Sequence, residues 1–428
     1  MQTARFIVKN FGPLINIDIE VRDFLCLIGK QATGKSTIAK LLAIFEDENF
    51  RKNNDDFFEI ELDKYGMLEF LTDSTFLFYS YGNYSFIFYN KKKIKVNVRE
   101  EIKSKILDSS NFEDYKAINF LTDYQFLREI DNESLKIIKT TNIENIEKEF
   151  NETVVKKINV DVKDKMSIEI LNKFLNYYDS LLHKYGYDIF FDSQYIPSER
   201  NFLHIIAENV FGLINNNIQI PKHLLEIGQE YEKALNVVKE IPLNLIDKSF
   251  TYKREGKTSY IYHNDNEKVD LIQSASGMQS IIPIILLIEY AKTLKENYHF
   301  NYVIEEPELN IYPKTQHQLI KYLIKNVFDF TRVDYQRKKM VITTHSPYIL
   351  ASINNLLLAF QKGKEKPKEV NKIINKSSWI NPKNFNAYEL RNGKSYKIMN
   401  HKLGQLKSNM IDQVSDEFAD EFDKILSL

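Results

Sequence analysis

The chain has a single cysteine, Cys26, in 428 residues, so no internal disulfide can staple it and its stability must come from a core. Such sparing use of cysteine fits a reducing compartment, and the cytoplasm is the expected location. Cys26 lies in the apolar run Phe24-Leu25-Cys26-Leu27-Ile28, which reads as a buried strand. Net charge is nearly absent as well. Lys and Arg number 58 against 59 Asp and Glu, a formal balance of -1, which excludes a global basic field and leaves nucleic acid only a local patch to contact. Long hydrophobic runs are missing: the longest candidate, residues 281–288, ends at Glu289 and is too short to cross a bilayer. The N-terminus lacks the basic, apolar and small-residue succession of a signal peptide. Internal repeats and long low-complexity linkers are absent too. What is present, 43% hydrophobic residues over this length, allows a large core in two or three domains.

Four short motifs carry the chemistry. Gly29-Lys30-Gln31-Ala32-Thr33-Gly34-Lys35-Ser36 has the full G-x-x-x-x-G-K-S pattern, directly after an apolar strand and before helically spaced Ile38, Leu41, Leu42 and Phe45. Its backbone N–H groups and the following helix N-terminus suit phosphate oxygens. Lys35 would reach the β and γ phosphates, Ser36 would offer a hydroxyl to Mg²⁺, and Thr37 completes the nucleotide-binding stretch. Downstream, the apolar strand Tyr302-Val303-Ile304 delivers Glu305 and Glu306 at its C-terminal end. Glu305 is placed to order the metal shell and Glu306 to polarise the attacking water. A second apolar strand, Val341-Ile342-Thr343-Thr344, ends at His345, expected to face the γ-phosphate. Between them, Ala275-Ser276-Gly277-Met278-Gln279 opens an apolar helix whose free N–H groups form a second anion site. One phosphate loop already serves a nucleotide in its own subunit, so this second site makes most sense in trans.

Around the motifs the pattern predicts a hairpin broken at Asn10-Phe11-Gly12-Pro13, a central strand, and an aromatic hairpin over 75–90 turning at Gly82-Asn83. Residues 96–185 shift to Lys, Glu, Asp and Asn with amphipathic stretches such as 168–182, read as a helical insertion. The core resumes at 188–191 and runs to Tyr195-Ile196-Pro197-Ser198-Glu199-Arg200. Helices over 203–215 and 221–238, a hairpin over 250–261, strand character around Arg391-Asn392-Gly393-Lys394, and an amphipathic helix over 411–426 follow.

Taken together these residues resemble the ABC-class ATPases, in the soluble branch that includes SMC, RecF and the OLD-like proteins. Ala275-Ser276-Gly277-Met278-Gln279 is similar to the signature motif usually written LSGGQ, with Ala for Leu and Met for the second Gly. The resemblance implies a trans-phosphate role for Ser276, Gly277 and Gln279. Glu305-Glu306-Pro307-Glu308-Leu309-Asn310 resembles the Walker B and D-loop stretch of the OLD-like branch, though Asp is commoner than Glu at the first position. Thr344-His345-Ser346-Pro347 resembles its switch histidine, and Lys9-Asn10-Phe11-Gly12-Pro13 its entry hairpin. Gln194 is the candidate for the glutamine that contacts Mg²⁺ in this class. The implied fold is α/β: an ABC-type P-loop NTPase head, a mixed sheet with an antiparallel β subdomain and helices. Residues 1–95 and 186–428 form its two lobes, and the insertion over 96–185 is a docking region.

The implied activity is hydrolysis of ATP with Mg²⁺ by two copies that close head to tail, as a homodimer or a higher oligomer. Control of a separate effector, a nuclease or toxin, in bacterial anti-phage defence is the expected use. No intrinsic nuclease is expected: the tail lacks a Toprim-like Glu followed by Asp-x-Asp, and Asp161-Val162-Lys163 reads as surface. The pairs His204/Glu208 and His263/Glu267 lack a second histidine to complete a metal site. The alternative is a DNA-binding repair or maintenance factor of the RecF or SMC kind, using basic clusters at Lys91-Lys92-Lys93, Arg337-Lys338-Lys339 and residues 362–368. No membrane contact is expected.

Overall fold

The computed structural model describes residues 3–47, 50, 57–81, 84–89, 92–97, 190–207, 219–263, 267–294, 298–328 and 339–427. Nearly all of the expected insertion lies outside them, as do Asp161-Val162-Lys163, Glu208 and the second half of the helix read over 203–215.

The chain opens with β1 (Ala4–Phe11) and β2 (Leu14–Val21), an antiparallel hairpin whose turn holds Gly12 and Pro13. In β2 the buried Ile17, Ile19 and Val21 alternate with exposed Asn16 and Asp18, the period-2 pattern of a sheet with one covered face. Next, β3 (Phe24–Gly29) is buried at every position, as a central strand covered on both faces must be. α1 (Lys35–Phe45), α2 (Phe57–Lys64), β4 (Phe76–Tyr81), β5 (Tyr84–Tyr89) and β6 (Lys92–Asn97) complete the first half. β7 (Phe190–Ile196) and α3 (Lys222–Val237) lead to the short strands β8 (Glu240–Pro242), β9 (Phe250–Glu255), β10 (Thr258–His263) and β11 (Glu267–Asp270). Then come α4 (Ser276–Thr293), β12 (Tyr298–Glu305), α5 (Pro313–Val327), β13 (Met340–Thr344), α6 (Pro347–Gly363) and α7 (Pro367–Ile373). β14 (Phe385–Arg391), β15 (Lys394–Lys397) and α8 (Met410–Leu426) follow.

One eleven-stranded sheet runs β6-β5-β4-β1-β2-β15-β14-β3-β13-β12-β7, and β11-β10-β9-β8 form a separate antiparallel sheet. The large sheet is mixed, as expected: β6 through β2 pair antiparallel, whereas β14, β3, β13, β12 and β7 pair parallel. The third antiparallel strand, β6, was not anticipated; it absorbs Lys92 and Lys93 and continues to Asn97, so a lobe boundary at residue 95 would cut a strand.

Alternation along β3 sends Leu25 and Leu27 to one face and Phe24, Cys26 and Ile28 to the other. The first face packs α1 and a ring cluster centred on Phe45, whose centroid lies 5.4 Å from Tyr79 and 5.2 Å from Phe86. The second packs α3, α4, α5 and α6. Lys339, read as part of a basic cluster, is instead buried under the sheet: its ammonium sits 2.7 and 2.8 Å from the two carboxylate oxygens of Glu46 and 3.5 Å from the Tyr81 ring centroid. It is not available to a phosphate backbone.

Candidate nucleotide-binding and catalytic site

Parallel pairing brings the motifs together. Register places Thr344 beside Ile28, Glu305 beside Thr343 and Ile304 beside Ile196, so β3, β13, β12 and β7 end at one edge of the sheet. The phosphate loop, Glu305-Glu306 and His345 are therefore neighbours although more than 300 residues of chain separate the first from the last.

Between β3 and α1 the loop curls through two left-handed positions, Ala32 (φ 59°) and Gly34 (φ 93°). A side chain at Gly34 would meet Leu14 Cδ2 at 2.4 Å, so glycine is required both by conformation and by the close passage of the entry hairpin. Thr33 Oγ1 donates to Lys30 O at 2.8 Å, and Lys35 Nζ donates to Gly29 O at 3.0 Å and Lys30 O at 2.9 Å. The ammonium is thus held over the loop, and burial lowers its pKa. Gln31, Ala32 and Ser36 are exposed at the mouth, while Thr37 is buried.

Glu305 is 4% exposed. The nearby hydroxyls of Ser36 and Tyr195 favour its ionised form, but burial is the larger effect and raises its pKa. Its Oε1 is buried with no hydrogen-bond partner. A hydroxyl and an under-satisfied carboxylate oxygen at a phosphate loop are the donors a hard divalent cation takes, so Ser36 and Glu305 fit Mg²⁺. No group of three or more His, Cys, Asp or Glu suited to a metal exists among the described residues.

Gln194 does not join this pair. β7 and β12 are in register with Gln194 beside Tyr302, on the face that carries Ile196 and Ile304. Tyr195, with Val303, faces α1. Glu305 shares the parity of Val303 and contacts Tyr195, so the strand alternation puts Gln194 across the sheet from the metal donors. Both its amide atoms are buried without partners.

Glu306 adopts φ 42°, a left-handed backbone unusual for a side chain this long. Its Oε1 lies 3.4 Å from His345 Nε2, and both residues are about one-third exposed. The neighbouring His345 ring, aided by the charges of Lys35 and Arg200, holds its carboxyl below the usual range, so it is ionised at neutral pH. Glu308, half-buried, accepts from Thr344 Oγ1 at 2.7 Å and from the His345 backbone N–H at 2.8 Å, which fixes the histidine relative to β12.

The helix opened by Ser276 is α4. Ser276 is exposed at its first turn, and Gly277 approaches the loop after β12 so closely that a Cβ there would lie 2.7 Å from Asn310 O. Gln279 turns back instead of outward: its amide nitrogen donates to Ile272 O at 2.7 Å and Ser274 O at 3.0 Å, closing its own loop.

Two residues to which motif spacing gave no role in this site, Arg200 and His204, tie these parts together. Arg200, fully buried after β7, donates to Ser280 O (2.9 Å), Ser280 Oγ (3.0 Å), Pro197 O (3.1 Å), Glu305 O (2.7 Å) and Glu306 O (2.7 Å). One guanidinium therefore joins the start of α4 to the carboxylate-bearing end of β12. One turn on, His204 Nε2 lies 3.0 Å from Gln279 O, and its Nδ1 lies 2.7 Å from Tyr231 Oη. Pro283 explains the first contact: lacking an N–H, it cannot bond the carbonyl four residues back, and His204 donates to Gln279 O in its place. A proline inside a strongly apolar helix was the available signal, since the carbonyl it frees must find a donor elsewhere.

A glycine-containing phosphate cradle between strand and helix, flanked by two strand ends bearing carboxylates and a histidine, defines a P-loop nucleoside triphosphatase. The chain belongs to the AAA ATPase domain family (AAA_15), which matches residues 1–350. No curated protein matches it. Among solved structures it is similar to the Smc head domain with an extended coiled coil, bound to the C-terminal domain of ScpA, from Pyrococcus furiosus: 8% identity, 99% of this chain and 100% of that one, TM-score 0.34. An SmcHead bound to the C-winged helix domain of ScpA gives 10% identity over 94% and 99% of the two chains with a TM-score of 0.37. The SMC head domain from Thermotoga maritima gives 8%, 94% and 99%, with a TM-score of 0.38.

Proposed function

We propose that this chain binds ATP with Mg²⁺ and hydrolyses it in a pocket completed by a second copy, and that closing and opening of the pair controls a separate effector protein, as in bacterial anti-phage defence. The observation that carries the hydrolytic part is the ionised Glu306 beside His345 at the sheet edge that also bears the phosphate loop. Loop N–H groups and the N-terminus of α1 receive the phosphates, and Lys35 neutralises their charge. Ser36 and Glu305 hold Mg²⁺, which when bound offsets charge on the phosphate oxygens. Glu306 accepts a hydrogen bond from water and orients it towards the γ-phosphorus, and His345 adds a donor beside the developing charge. Ser276 and Gly277 of the second copy supply the opposite anion site. For the DNA-binding alternative, the burial of Lys339 in an ion pair removes one residue from its basic clusters, while Lys362, Lys364, Lys366 and Lys368 are exposed and Lys91, Arg337 and Lys338 lie outside the described residues. Phosphate release should be measured on the wild type and on Glu306→Gln at saturating ATP. Loss of about 10²-fold or more is expected for a residue that orients the nucleophile; undiminished turnover would overturn the assignment.

A further inference from the structure

Two features play no part in ATP chemistry, and each supplies what the other lacks. The first is α8. Phe418 (66% exposed), Phe422 (64%), Ile425 (63%) and Leu426 (74%) line one side of it, with the two phenylalanines one turn, ~6 Å, apart along the axis. Large apolar side chains in such a stripe mark a contact surface. The rest of the helix carries six carboxylates, at 412, 416, 417, 420, 421 and 423, against Lys424 alone. The second feature is a cavity of about 720 Å³ between the C-terminal ends of α5 and α6 and the turn that follows α7. Phe328, Phe360 and Trp379 line it, and Lys325, Lys364 and Lys376 stand around it. None of these lysines makes an ion pair with a described residue, and Lys364 Nζ lies 5.2 Å from the Phe360 ring centroid. The floor is fixed in advance: Trp379 Nε1 donates to Ile374 O at 2.9 Å, and the ring lies so close to Gly363 that a Cβ there would come within 2.1 Å of it.

We propose that α8 of one copy docks in this cavity of a second copy, Phe418 and Phe422 entering among the aromatic rings while the helix's carboxylates meet the three lysines. Charge selects this occupant. Pairing α8 with another α8 would set Glu417 and Glu421, which flank the phenylalanines, against their own kind, whereas the cavity offers unpaired ammonium groups. The contact is heterologous, each copy giving a helix and receiving one, so it differs from the nucleotide-dependent pairing proposed above and needs no ATP.

The test uses full-length Lys35→Ala protein without nucleotide, so failure of the ATP-dependent pairing cannot imitate failure here. In this background Phe418→Ser/Phe422→Ser removes the knobs and Lys364→Glu/Lys376→Glu reverses the rim; all four side chains are exposed, so the fold should persist, as circular dichroism would verify. Sedimentation velocity is expected to show concentration-dependent association of the parent that weakens with salt, and at least tenfold weaker association of each variant alone. Mixed one to one, the variants should regain a single heterodimeric contact, the lysine variant giving its helix and the phenylalanine variant its cavity. Trp379, the only tryptophan in the chain, should change its fluorescence in that mixture. A strictly monomeric parent, a lysine variant that still associates with itself, or a mixture that stays monomeric would each overturn the proposal.

Discussion

Arg200 makes a direct claim about energetics at the scale of single residues. Its guanidinium gives five hydrogen bonds from a fully buried position, and burial lowers its pKa to about 10, still well above neutrality. Truncation would leave the Glu305 and Glu306 carbonyls without this donor and Ser280 without its bridge. Arg200→Ala should therefore cost about 3–5 kcal/mol in urea unfolding, the scale for breaking a buried charged network, and Arg200→Lys should recover little because one ammonium cannot span both elements. His204 gives a pH signature. Burial pushes its pKa down to about 4 from the ordinary 6.5, so between those values the unfolded chain binds a proton that the folded chain refuses. Stability is complete above pH 6.5 and falls as the pH drops, by about 2 kcal/mol at pH 5 from this group. Burial raises Glu305 and Glu308 and works in the opposite direction, so the comparison must be with His204→Gln, in which this component vanishes. Parallel stability–pH profiles for the two proteins would show that the histidine does not carry it. The phosphate-loop residues were legible from spacing because their chemistry is local. Arg200 and His204 were not, because their roles depend on carbonyls of Ser280 and Gln279 some 80 and 75 positions away. Gln194 shows the opposite failure, a residue of the right type one position out of phase with the metal-facing side of its strand.

Elements explain why much of the fold could be read early. Strands β1 to β3, the hairpin β9–β10 and helix α8 each announce themselves by period, and all lie where the pattern put them. β6 escaped because Lys92, Lys93 and Lys95 mask the alternation of Ile94 and Val96. How α4 meets the end of β12 was beyond any local pattern, and it yields a prediction. Gly277 is held so near Asn310 O that even a methyl group cannot enter without displacing one element from the other. Asn310 is already in a left-handed conformation at φ 58° and has little freedom to yield. Gly277→Ala should therefore leave nucleotide affinity of the single chain within about twofold, because its own phosphate loop is untouched, while lowering turnover by about tenfold or more through misplacement of the α4 N-terminus. Equilibrium binding of a fluorescent ATP analogue, set beside phosphate release, separates the two. An equal fall in both would mean that α4 supports the loop of its own subunit.

At the scale of the whole molecule, the arrangement of anion sites becomes an argument about assembly. The phosphate loop has its own cradle of N–H groups, its own lysine and its own carboxylate partners. Exposed Ser276 stands at the start of a second helix, whose N-cap residue, Ala275, has no side chain that could cap the helix N–H groups. On the reading proposed above, a serine-led helix N-terminus left open in this way takes the triphosphate of a second copy as its ligand. Pairing should then depend on an unhydrolysed γ-phosphate. Glu306→Gln keeps the shape of the carboxylate and removes its charge, so it should retain ATP and accumulate as a dimer by light scattering, reverting to monomer with ADP. Adding Ser276→Arg to Glu306→Gln should leave ATP bound at unchanged stoichiometry and abolish the dimer, because a bulky side chain at the helix start blocks approach of the other subunit's phosphates. These measurements belong in the Phe418→Ser/Phe422→Ser background, where contact through α8 cannot contribute to mass. If ATP holds Glu306→Gln together equally well with arginine at position 276, the helix N-terminus is not at the interface, and a different surface must close the nucleotide pocket.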